Sequence, residues 1–135
     1  MSFDVFIIES SASPPKEQFK EAVRKAVIAG GGVEDAQGNL ATSDGFAFEL
    51  FGSMFALRGW SDSMGELLFA VAELTSSYIY PVGEDSTALR TPNNKGAPPD
   101  GLGEISDVAD AAEMCRGVAP DFYGWASYRD YVRQK

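Results

Sequence analysis

The chain contains no histidine and a single cysteine in 135 residues. Without histidine, a nucleophile activated by an imidazole base cannot be assembled, whether the nucleophile is serine or cysteine. Zinc sites built from nitrogen and sulfur ligands are excluded on the same counts. A lone Cys115 cannot close an internal disulfide, which suits a reducing, cytoplasmic setting. Long apolar runs are also missing: none approaches the roughly 20 residues that span a bilayer, so no membrane contact is expected. Positive charge is scarce, with 11 Lys and Arg against 20 Asp and Glu, a net charge of −9. Such a surface repels phosphate backbones and disfavours direct nucleic-acid binding. It favours a basic protein partner instead.

What is present reads as an ordinary folded chain. Hydrophobic residues make up 44% and charged residues 23% of the sequence, near the averages for soluble domains. The opening Met-Ser-Phe-Asp-Val-Phe-Ile-Ile lacks a basic leader and reads as a first strand, Phe3 to Ile8, not as an export signal. Ser13 followed by Pro14 offers a start for an amphipathic helix carrying Phe19, Ala22, Val23, Ala26 and Val27 on its apolar face. Gly30-Gly31-Gly32 stops it. Turn signals at Gln37-Gly38 and Ser43-Asp44-Gly45 predict an antiparallel meander of three strands over residues 33–60, in which Phe46, Phe48 and Leu50 share a face. Ser63 and Glu66 have capping-box spacing ahead of Met64, Leu67, Leu68, Val71 and Leu74, the apolar face of a second helix. Tyr78 to Val82 reads as a strand ending near Pro81.

The expected fold is therefore one α+β domain over residues 1–135, an antiparallel or mixed sheet of about four to five strands with helices packed on one face. A long Pro/Gly-rich loop is expected at about residues 83–104. Ser106 or Asp107 would cap a third helix with Val108, Ala111, Ala112 and Cys115 facing inward, and the aromatic segment 120–135 follows.

No catalytic, cofactor or metal residue is expected. Cys115 reads as a buried small hydrophobe, and the acidic residues match no calcium-loop pattern. The densest acidic set is Asp100, Glu104, Asp107, Asp110 and Glu113, with Asp107 and Asp110 one helical turn apart if both lie on the third helix. Acidic residues together with Trp60 and Trp125 suit protein recognition better than catalysis, and these seven form the candidate partner-binding set.

The opening Met-Ser-Phe-Asp-Val-Phe, the Phe-Ala-Phe-Glu-Leu-Phe strand and Tyr-Ile-Tyr-Pro-Val resemble small bacterial immunity proteins of polymorphic-toxin systems. The resemblance implies a cytoplasmic, acidic, non-enzymatic protein that binds a cognate toxin and occludes its active site. It carries over no contact residue. Two alternatives remain open from the residues: an acidic, phage-encoded or other inhibitor of a nucleic-acid-binding enzyme, and a small carboxylate-based enzyme or ligand-binding protein.

Overall fold

The structure is a computed structural model and describes residues 3–51, 54–57, 60–82 and 87–119. Among the described residues, eight strands form one mixed sheet in the order β2-β3-β4-β5-β1-β6-β7-β8, with three α-helices. The strands are β1 (Phe3–Glu9), β2 (Val33–Glu34), β3 (Leu40–Ala41), β4 (Ala47–Phe51), β5 (Met54–Leu57), β6 (Ser77–Pro81), β7 (Ala88–Arg90) and β8 (Ile105–Asp107). The helices are α1 (Phe19–Ala29), α2 (Asp62–Thr75) and α3 (Ala111–Val118). All pairings are antiparallel except β7 with β8. The α+β class matches the sequence expectation; the strand count exceeds it. The 33–60 meander holds four strands, β2 to β5, instead of three, and β7 and β8 lie within and just beyond the loop expected at 83–104; two or three residues apiece in β2, β3, β7 and β8 are too few for an alternation pattern to emerge.

The sheet has two unlike faces. Val5, Ile7, Phe55, Leu57, Ile79 and Leu89 point to the helices and are buried. The rings of Phe48 and Phe55 meet on this side with centroids 5.2 Å apart, tilted by 43°. Val23 and Val27 of α1, Leu68 and Val71 of α2, and Met114 and Val118 of α3 close over them. Gly117 lets α3 reach the sheet, because a Cβ there would press within 2.8 Å of a Leu89 methyl.

Helix starts differ from the expected ones for local reasons. A second proline at 15 keeps Pro14 out of helical backbone, so α1 begins only at Phe19, after a short 3-10 turn at Lys16–Gln18. Ser13 serves elsewhere: its hydroxyl accepts from Ser10 N at 2.9 Å and donates to Ser76 O at 3.1 Å, pinning the end of β1 to the end of α2. Helix α2 is capped by Ser61, not Ser63, with Met64 N donating to Ser61 Oγ at 3.4 Å. The preceding Trp60 is buried, which fixes where the chain turns into the helix. Helix α3 is capped by Asp110, whose Oδ1 accepts from Glu113 N at 2.9 Å. Ser106 and Asp107 cannot cap it, because they pair with β7 as a strand. Three apolar positions also lie outside the core: Leu74 is 57% exposed in the last turn of α2, and Phe46 and Ala112 are exposed as well.

Candidate protein-binding face

On the face opposite the helices, β1 presents Asp4, Phe6 and Ile8. Register places Phe6 between Met54 of β5 and Tyr80 of β6. It places Asp4 opposite Ala56, and Glu49 of β4 on the other side of Ala56. Directly paired Cβ atoms lie about 4.5–5.5 Å apart, so these side chains make one continuous surface. Phe6 is 38% exposed, although it belongs to a central strand; Met54, Ala56, Ile8 and Tyr80 are half-buried. None of β1, β4, β5 and β6 contains Lys or Arg, and among the described residues Asp4 and Glu49 are the charges these strands place on this surface. An apolar centre with a carboxylate margin is the anatomy of an interaction patch.

One end of this face is closed by the chain itself. Tyr78 pairs with Ile8 and is fully buried, and its hydroxyl donates to Gly96 O at 2.9 Å. Ser11 N donates to Ala97 O at 3.0 Å, and Ala97 N returns a bond to Ser11 Oγ at 2.8 Å. The segment after β7 therefore lies over Tyr78 and leaves the Phe6–Tyr80 region open.

The sequence-expected acidic set gathers at the β8 edge of the sheet and the start of α3, with different duties for its members. Asp100 and Glu104 are exposed in the approach to β8. Asp107 lies on β8 and takes a bidentate contact from Arg90, Nε to Oδ1 at 2.6 Å and Nη2 to Oδ2 at 3.0 Å. These hydrogen bonds hold the Asp107 carboxyl below its ordinary pKa, assisted by the positive charge of Lys95. Asp110 caps α3, and Glu113 Oε2 accepts from Ala109 N at 3.3 Å. Asp107 and Asp110 thus do not share a helical turn; one is in a strand and the other is a cap. Trp60 is 6% exposed and belongs to the core, so it presents little surface to a partner. Trp125 lies outside the described residues.

The candidate set read from the sequence leaves out Phe6, Met54, Tyr80, Asp4 and Glu49. The signal was in β1, where Phe6 and Ile8 alternate with Val5 and Ile7, so both faces are apolar and only one can lie under the helices. Cys115 is buried as expected. Among the described residues, no group of three His, Cys, Asp or Glu could hold a metal ion, and no helix is long and apolar enough to cross a membrane.

No family model matches the chain, and neither a curated protein nor a solved structure matches it.

Proposed function

We propose that this chain is an immunity protein, a non-enzymatic binder that neutralises a cognate bacterial toxin by covering its active site. The observation that carries this reading is the open sheet face, where Phe6, 38% exposed, is flanked by Met54 and Tyr80 and bordered by Asp4 and Glu49. Large aromatic side chains supply most of the energy at such interfaces, and a surrounding rim excludes water. Arg90 and Asp107 pair in register across β7 and β8, and Leu89, the residue before Arg90, packs toward α3, so the Arg90–Asp107 pair stands on this same side of the sheet. Asp100, Glu104, Asp110 and Glu113 extend the negative charge around that edge.

A net charge of −9 would draw in a partner whose cleft is basic, as clefts shaped for nucleic acids or nucleotides are. Charge complementarity would raise the association rate, and burial of Phe6 and Tyr80 would hold the complex. The absence of histidine supports a binding role over acid–base catalysis.

The test is co-expression with the product of the adjacent gene. That product alone should arrest growth; with this chain present, growth should return and the two proteins should co-purify as a defined complex. No complex and no relief of arrest would remove the immunity reading.

A further inference from the structure

Strand register lays out the open face as a grid. Phe6 stands between Met54 and Tyr80, and Asp4, two residues earlier on β1, stands opposite Ala56. Val82 N donates to Asp4 O at 3.1 Å, so the pairing of β1 with β6 runs one residue past Pro81 and sets Val82 on the other side of Asp4. Val82 is 51% exposed and continues the alternation of Tyr78 and Tyr80. Asp4 is therefore a carboxylate with apolar neighbours on three sides: Ala56, Val82 and Phe6. It is half-buried, and among the described residues its carboxylate has no hydrogen bond or ion pair.

An unpaired carboxylate at this position is tolerated because water reaches it. A partner covering the face strips that water, and a carboxylate desolvated without a counter-charge is strongly unfavourable. A partner that buries Phe6 must therefore bring a cation to Asp4. None of β1, β4, β5 and β6 supplies one, since these strands hold no Lys or Arg. Side chains two apart on a strand stand about 7 Å from one another, so a group paired with Asp4 also reaches the Phe6 ring. A guanidinium meets both demands: it forks onto a carboxylate, and its weakly hydrated plane lies against an aromatic face. An ammonium holds its water more strongly and cannot fork.

We propose that Asp4 and Phe6 form the receptor for one arginine side chain of the partner protein, its guanidinium forked onto Asp4 and stacked on Phe6. The inference rests on the immunity reading for the identity of that partner, and it names the group the partner places at the centre of the interface. A second copy of the chain fits the face poorly, because it carries the same net charge of −9 and would set another acidic surface against Asp4.

The test first titrates the full chain alone with Nα-acetyl-argininamide and, separately, its lysine counterpart, at constant ionic strength set by sodium chloride. The NMR signals of the Phe6 ring and the Asp4 amide should move saturably with the arginine probe, which should bind about threefold or more tighter than the lysine probe. Asp4→Asn, isosteric and with no partner of its own to lose, should abolish the arginine response while keeping the melting temperature. Against the co-purifying product of the adjacent gene, Asp4→Asn should weaken binding about 30-fold or more, through faster dissociation. No saturable shift with arginine, or an equal response to lysine, would overturn the proposal. A complex indifferent to Asp4→Asn would overturn it and leave the immunity reading standing. No complex at all would remove that reading, and the arginine titration would then decide the site by itself. Dimers of the chain alone that Phe6→Glu disperses would give the face to a second copy and overturn the proposal.

Discussion

Gly65 of α2 and Cys115 of α3 face one another so closely that a Cβ on residue 65 would overlap the cysteine Sγ. The thiol fills the space a side chain at position 65 would take, and its S–H points to Asp62 O at 3.8 Å. This contact sets how near α3 lies to α2, and through Gly117 how α3 meets Leu89 of the sheet.

Gly65→Ala should therefore destabilise the protein, although alanine is the better helix former by about 1 kcal/mol. Overpacking typically costs about 1–3 kcal/mol and should win here. Urea denaturation should show a lower midpoint. The double variant Gly65→Ala with Cys115→Ala should recover part of the loss, because it removes the overlapping sulfur. Additive losses would show that the two residues do not share the space.

The Cys115 thiol should react with an aromatic disulfide reagent only as the chain opens. It is 4% exposed and enclosed by α2. Labelling in the native state should be slow and should accelerate with denaturant in step with local or global unfolding. Rapid stoichiometric labelling in native buffer would contradict the packing.

Acid sensitivity should come from Asp35, Asp44 and Asp107, whose carboxyls are held below the ordinary value of 3.8. For Asp35 the main cause is the backbone N–H of Asn39, followed by the Asn39 side-chain amide. For Asp44 it is the Thr42 hydroxyl, and for Asp107 it is Arg90. A depressed folded-state pKa contributes stability that is present above the unfolded value and lost as pH falls through the folded one. Denaturation midpoints should thus hold from pH 7 to about 5 and fall below about 4. Asp35→Asn should flatten that acid limb without changing its direction, since the other two carboxylates remain.

Much of the architecture was legible because burial repeats with the period of each element. The Phe3 strand, the α1 stripe of Phe19, Val23, Ala26 and Val27, the glycine stop and the α2 face all follow from spacing. Caps were less legible, because serine and aspartate compete for several local roles. Ser13 became a tie to Ser76, Ser61 displaced Ser63, and Asp107 was taken by Arg90 before it could cap a helix. Strands β7 and β8 depend on pairing with distant partners, which three-residue segments do not announce. The candidate face was hidden for a similar reason. The residues that make it, Phe6, Met54 and Tyr80, meet only through the register of β1, β5 and β6, while the dense acidic run at 100–113 is conspicuous along the chain.

Charge and apolar contact should separate in the kinetics of partner binding. Converting Asp100 and Glu104, exposed residues outside the ion pair and the α3 cap, to lysine should slow association and flatten its salt dependence. Stopped-flow association at two ionic strengths measures both. An unchanged rate and salt slope would remove this edge from the interface.

The most direct test of the open face is the affinity of Phe6→Glu for the co-purifying partner, measured by calorimetry beside the unaltered chain. Phe6 is solvent-facing, so circular dichroism should report a retained fold. If the Phe6–Tyr80 face is the interface centre, the variant should bind about 30-fold more weakly or worse, the loss of about 2 kcal/mol expected of a buried aromatic anchor. A folded Phe6→Glu protein that binds within twofold of the unaltered chain would place the interface elsewhere.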